Sequence, residues 1–262
     1  MKAPVFDSNW SDEVKRVYDH DMREMWDKRI ASHIYNMYHA QLEMYQSLVP
    51  KEAKRVLDVG CAQGTLALLL AEQGYSVMAV DLRQGFLDYA KTRWTHGDIV
   101  FKQGNVFDLG LKEKFDVIFA NQIIEHLVYP QEMVEKLSAL LNENGLLVMT
   151  TPNGKYFKNS QPSYTELGNP KDWEHMQFTA DGDGHFFAYT PEELRDIFEK
   201  SGLKNIIVRS YETPWISGHI KFRYLHMVLP YCLLKWLDRF SKRLPFSRKF
   251  SHQLLVMGKR GN

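Results

Sequence analysis

The hydrophobic pattern of this chain changes period near residue 54. Residues 11–49 carry Trp26, Ile30, Ile34, Met37, Leu42 and Tyr45 at helical spacing. That rhythm predicts helix with one apolar face, closed by Pro50. Beyond it, short apolar runs alternate with amphipathic segments. The pattern predicts strand 54–60, helix 64–74, strand 76–81, helix 84–94, strands 98–103 and 115–121, helix 130–141 and strand 145–151. Thr190-Pro-Glu-Glu opens a further helix with an N-cap, a proline in the first turn and early acids. It runs to Lys200, and Gly202 separates it from a strand at Leu203–Arg209. A last strand lies at Ser251–Gly258. Strands alternating with helices predict an α/β fold with a mostly parallel sheet and right-handed crossovers. Two stretches, 154–189 and 211–249, interrupt the alternation as insertions.

The first strand–turn–helix carries the strongest chemical signal. In Arg55-Val-Leu-Asp-Val-Gly-Cys-Ala-Gln-Gly-Thr-Leu-Ala67, an apolar run meets a turn whose Gly60 and Gly64 permit backbone geometry that a side chain obstructs. A ligand meets free backbone N–H groups at such a corner, at the carboxyl edge of a doubly wound sheet. The next strand, Ser76-Val-Met-Ala-Val-Asp-Leu82, ends in an acid able to accept both hydroxyls of a ribose. The strict G-x-G-x-x-G spacing of pyrophosphate-binding dehydrogenases is absent.

Together these segments resemble the class I S-adenosyl-L-methionine (SAM)-dependent methyltransferases. The family's Asp-x-Gly-x-Gly-x-Gly signature stands here as Asp58-Val-Gly60-Cys-Ala62-Gln-Gly64, with Ala62 in place of the middle glycine. The resemblance implies a Rossmann-like seven-stranded sheet with helices on both faces, the last strand antiparallel. It implies residues 1–50 as an N-terminal helical cap and 51–262 as the methyltransferase domain. Asp58, Gly60, Ala62 and Gly64 would form the SAM turn, Asp81 the ribose ligand, and Leu82 the adenine face. Asn105, where relatives commonly carry an acid, would meet the adenine amino group beside Val106, and Asn121 would lie beside the methionine moiety.

On the acceptor side, Asn121-Gln-Ile-Ile-Glu125-His126 resembles the Glu-x-x-Glu-His motif of ubiquinone-biosynthesis O-methyltransferases and small-RNA 3′-terminal 2′-O-methyltransferases, with Gln122 replacing the first glutamate. In those relatives such residues and a distant histidine hold a divalent cation. Glu125, His126 and His185 are the corresponding set here, and His126 and His185 are the candidate catalytic residues. The amide at Gln122 removes one negative charge, so a metal-free role, with His126 as a base or as a packed side chain, is favoured over a divalent cation. The first insertion carries Tyr156, Phe157, Tyr164, Trp173, His175, Phe178 and His185, suited equally to a planar acceptor and to a lid packed on itself.

Composition adds bounds. The 262 residues carry a net charge of +1, which gives no general reason to expect nucleic acid. Cys61 and Cys232 are far apart and form no disulfide framework, and Cys61 reads as a packed side chain rather than a nucleophile. No signal peptide is visible, and the apolar run Leu225–Leu237 contains Pro230 and is too short to span a bilayer. Within 215–250, aromatic and basic residues interleave as in an interfacial helix. The expectation is therefore a cytoplasmic SAM-dependent O-methyltransferase acting on a small-molecule or lipid-linked hydroxyl, with peripheral contact to the inner face of a membrane through 215–250. RNA 3′-terminal 2′-O-methylation and a non-catalytic SAM-binding accessory role are the alternatives. Nucleic acid is disfavoured because no RNA-binding module accompanies the basic residues.

Overall fold

The computed structural model describes residues 1–176 and 187–261. Its seven strands are β1 (Arg55–Val59), β2 (Ser76–Asp81), β3 (Ile99–Gln103), β4 (Phe115–Asn121), β5 (Leu141–Pro152), β6 (Leu203–Tyr211) and β7 (Gln253–Arg260). They form a sheet of order β3-β2-β1-β4-β5-β7-β6. β7 pairs antiparallel with both β5 and β6, whereas β1 to β3, and β4 with β5, pair in parallel. This is the mostly parallel, seven-stranded α/β architecture that the sequence pattern predicts. The helices around it are α1 (Asp12–Asp21), α2 (Ser32–Leu48), α3 (Thr65–Glu72), α4 (Gln84–Arg93), α5 (Pro130–Ala139), α6 (Pro191–Lys200), α7 (Pro214–Ser217), α8 (Tyr231–Ser241) and α9 (Ser247–Phe250).

The chain divides into two compact units, residues 1–105 with 212–244, and residues 106–211 with 245–262. In the first, β1 to β3 pair in parallel, and Val56, Leu57, Ala67, Leu68, Leu70, Ala79 and Ala90 are completely or almost completely buried. In the second, Val117, Ile118, Phe119, Leu147, Val148 and Val256 are buried to the same degree. Such apolar strand runs follow from covering both faces of a parallel sheet.

Two segments depart from the sequence reading by more than two residues. Residues 11–49 do not form one helix. α1 passes into a single π turn, Met22–Trp26, closed by Asp27 N–H on the Met22 carbonyl at 2.7 Å, and α2 begins only at Ser32. The Asp27 carboxylate binds the backbone N–H and the guanidinium of Arg29, local bonds that compete with helix. Of the proposed apolar face, Leu42 and Tyr45 are buried while Ile30 is 54% exposed. Strand β5 starts at Leu141 rather than 145, because Leu141 pairs with Phe115 before a bulge, where Asn144 has φ of 60°, shifts the register. Among the described residues no helix is long and apolar enough to cross a membrane.

Candidate cofactor and acceptor site

In the first unit the glycine turn follows β1 as a run of left-handed residues: Gly60 (φ 65°), Ala62 (φ 47°) and Gly64 (φ 73°). Ala62, standing where the signature has glycine, thus keeps a conformation that disfavours a side chain. Gly64 is required on a second ground, since a Cβ there would lie 2.8 Å from the Cβ of Ala90 on α4. The turn is pinned at both ends. Cys61 N–H donates to the Val80 carbonyl at 3.0 Å, and Gly64 N–H donates to the Cys61 carbonyl at 2.8 Å. Burial pushes the Cys61 thiol well above its usual range, which suits packing and not nucleophilic chemistry.

Asp81 closes β2 against this turn. Its Oδ2 accepts the Ala62 N–H and its Oδ1 the Arg83 N–H, both at 2.9 Å. Asp58 lies beneath, buried, and burial together with the nearby Asp81 charge pushes its carboxyl up to about 7. Leu82 is 47% exposed, and Asn105, beyond β3, is half-buried. All the first-unit positions expected from the sequence therefore lie at the carboxyl ends of β1, β2 and β3, where ligands bind in open α/β sheets.

Sequence reasoning missed the layer that supports the turn. Arg93, fully buried, donates from Nη1 to the Gln63 carbonyl (2.8 Å) and from Nη2 to Thr65 Oγ1 (2.9 Å), while its Nε faces Asp21 Oδ2 at 3.2 Å. Asp21 Oδ2 also accepts the Trp26 indole N–H (2.8 Å) and the Tyr89 hydroxyl (2.7 Å). The Gln63 amide donates to Glu24 Oε2 at 2.7 Å and to the Tyr38 hydroxyl at 3.1 Å. Burial raises the Glu24 carboxyl to about 7. The π turn brings Glu24 and Trp26 into this network. An arginine at the end of an amphipathic helix gives no sequence cue that it is buried.

In the second unit Val106, buried, opens a short 3₁₀ turn, and Asn121 ends β4 with its Oδ1 accepting the Thr150 hydroxyl at 3.1 Å. Gln122 then takes φ of 54°, and Ile124–His126 form a 3₁₀ turn fixed by the Tyr189 hydroxyl on the Ile124 carbonyl (3.1 Å). Glu125 is fully buried. Its Oε2 accepts the Thr151 hydroxyl at 3.1 Å, and the neighbouring Gln122 amide donates to Gln253 Oε1 at 2.9 Å and to Thr150 Oγ1 at 3.2 Å. Burial pushes this carboxyl up to about 8. Its Oε2 is thus already engaged by a protein donor. His126 is half-buried on the same turn. His185, the third member of the expected metal set, and Phe178 lie outside the described residues. Among the described residues no three His, Cys, Asp or Glu side chains converge to hold a metal ion.

Within the first insertion Tyr164, Phe187 and Tyr189 pack on one another, while Phe157 packs on α9 outside it. Tyr164 stacks on Tyr189 with centroids 5.6 Å apart, both contact Phe187, and Phe157 meets Phe250 at 5.3 Å.

Comparison with known proteins adds the family. The methyltransferase-domain family matches residues 16–208. The chain belongs to this methyltransferase-domain family. A ubiquinone biosynthesis O-methyltransferase of Bradyrhizobium diazoefficiens is 34% identical over 101 residues, 38% of this chain and 40% of that protein. The chain spans about half or less of the length of the curated relatives it matches. A SAM-dependent methyltransferase from Archaeoglobus fulgidus superposes with a TM-score of 0.58 over 93% of this chain and 99% of that one, at 15% identity. The Haemonchus contortus phosphoethanolamine N-methyltransferase 2, bound to phosphomonomethylethanolamine and S-adenosylhomocysteine, gives 0.59 at 15% identity, over 94% and 60%. At that identity the structures show the fold of this methyltransferase-domain chain, and its acceptor must be argued from the residues.

Proposed function

We propose that this methyltransferase-domain chain transfers the methyl group of SAM to a hydroxyl oxygen of a small or lipid-linked acceptor. The observation that carries the cofactor reading is the state of Asp81. A carboxylate offers about four lone-pair sites. Asp81 spends one on each oxygen to hold the Ala62 and Arg83 N–H groups, leaving two for the two hydroxyls of a ribose. The left-handed turn at Gly60–Gly64 lets a ligand approach the backbone closely, Leu82 offers an exposed apolar face for adenine, and Asn105 follows β3 in the same unit.

SAM supplies a methyl group on a sulfonium, already activated for in-line displacement. The protein has then to position the acceptor and remove its proton. His126, at the carboxyl end of β4, is the base in this reading and takes the hydroxyl proton. Glu125, buried and bonded to the Thr151 hydroxyl, holds the turn that carries His126 against β5. The hydroxyl acceptor is supported by the Glu-His segment and by the curated relatives, which are named ubiquinone biosynthesis O-methyltransferases.

The test is an acceptor screen with S-adenosylhomocysteine readout, spanning phenols, aliphatic alcohols, prenylated phenols in detergent, amines and an RNA 3′ end. Turnover with a hydroxyl compound that collapses in His126→Ala, with cofactor affinity retained, is the expected result. Turnover with amines alone would overturn the acceptor class.

A further inference from the structure

Helix α8 is held by one face and bare on the other. On the inner face, Leu234 is fully buried, the Tyr231 hydroxyl donates to Glu43 Oε1 at 3.3 Å, and Lys235 pairs with the same carboxylate. Asp238 accepts the Thr213 N–H at 3.1 Å and the Thr213 hydroxyl at 2.8 Å, and pairs with Lys242 at 2.6 Å. At 100° per residue the inner positions of α8 share one side and Leu233, Trp236 and Phe240 fall on the opposite one, with Leu244 just beyond the helix end. They are 38%, 59%, 53% and 50% exposed, and the Trp236 and Phe240 rings stack at 5.9 Å. Met227 and Val228, just before the helix, are more exposed still.

An apolar stripe turned to solvent on a firmly anchored helix is not ordinary surface. Its charge surroundings identify what fits it. Arg239 and Arg243 are exposed along one flank of the stripe, and Lys221 and Arg223 are exposed upstream. The single acid between residues 214 and 244 is Asp238, which is buried and paired. A second copy of the chain would bring these cations against their equals, whereas an anionic bilayer supplies both an acyl boundary for Leu, Trp and Phe and phosphates for the arginines. We infer that the outward face of α8 is a docking surface for an anionic lipid bilayer, with Leu233, Trp236, Phe240 and Leu244 inserted at the acyl boundary and Arg239 and Arg243 on the headgroups.

Co-sedimentation of the full chain with phosphatidylglycerol/phosphatidylcholine vesicles tests this without reference to turnover, so its failure is separable from failure of the enzymatic reading. Wild type should sediment with anionic vesicles and less so as salt rises. Trp236→Ser with Phe240→Ser should lower partitioning on the order of tenfold or more, the loss expected on withdrawing two aromatics from the acyl boundary. Arg239→Glu with Arg243→Glu should weaken binding to anionic vesicles and leave the weak binding to phosphatidylcholine unchanged; this pair carries the test if the aromatic variant fails to fold. Absence of wild-type binding, or unchanged binding of both variants, overturns the proposal. So does a wild-type dimer that Trp236→Ser with Phe240→Ser converts to monomer without any vesicle binding, since that makes a second copy the occupant.

Discussion

Asp81 and Ala62 are joined by a 2.9 Å hydrogen bond from the Ala62 N–H to the Asp81 carboxylate, nineteen residues apart in sequence. The bond ties the end of β2 to a turn held in a left-handed conformation. It makes Asp81 at once a structural brace and the ribose ligand of the proposed site. Asp81→Ala should lower S-adenosylhomocysteine affinity roughly thirtyfold or more, since hydrogen bonds to a charged group are worth about 1.5–3 kcal/mol each. Titration calorimetry measures it. Unchanged affinity would remove Asp81 from the cofactor site.

The turn makes opposite predictions at neighbouring positions. Gly64→Ala places a Cβ 2.8 Å from Ala90 Cβ at a φ of 73°, and should cost about 2 kcal/mol or more. Ala62→Gly relieves a positive φ and should stabilise by up to about 1 kcal/mol, partly offset by the greater freedom of glycine in the unfolded chain. Denaturant midpoints of the two variants should therefore move in opposite directions.

Arg93 should behave as the brace beneath the turn. Replacing it by methionine leaves Asp21 as a buried charge without its cation and strips donors from the Gln63 carbonyl and Thr65. The expected cost is about 3–5 kcal/mol. Arg93→Lys should recover little, because one ammonium cannot reproduce the fork that spans three acceptors. A methionine variant as stable as wild type by urea denaturation would contradict this role.

Glu212 predicts a pH dependence. It is buried at the start of the second insertion, accepts from the Gln41 amide, and burial pushes its carboxyl up to about 8 from a usual 4.5. A carboxyl raised on folding binds more protons in the native state, so its favourable contribution is complete below the unfolded value and is lost as pH rises toward 8. The limiting slope is about 1.4 kcal/mol per pH unit for one such group. Asp58, raised to about 7, acts in the same direction at lower pH. Stability measured from pH 5 to 8 should fall, and Glu212→Gln, which keeps a hydrogen-bonding partner for Gln41, should flatten the fall.

The parts legible in the sequence are those that depend on neighbours in the chain. β1, the turn at Gly60–Gly64 and Asp81 at the end of β2 follow from apolar runs punctuated by glycine, and the strand alternation carries the sheet class. The Arg93–Asp21 pair joins residues 72 positions apart, and no local pattern marks either as buried. The π turn at Met22–Trp26 breaks a periodicity that reads as one helix, because Asp27 and Arg29 satisfy the backbone locally. Glu125 is legible as a motif residue, but its burial and its bond to Thr151 arise only once β4 and β5 pair. The amphipathic character of α8 is visible in its spacing, whereas its orientation, with the apolar stripe outward, is set by Glu43 and Thr213 on other segments.

Methyl transfer from SAM to a hydroxyl with His126 as base is read out by the formation of S-adenosylhomocysteine from SAM in the presence of the acceptor panel. The wild-type chain should form product with a hydroxyl acceptor, and His126→Ala should lose at least about a hundredfold in rate with unchanged cofactor affinity. Tight SAM binding with no S-adenosylhomocysteine formed from any acceptor, or full turnover in His126→Ala, would contradict it.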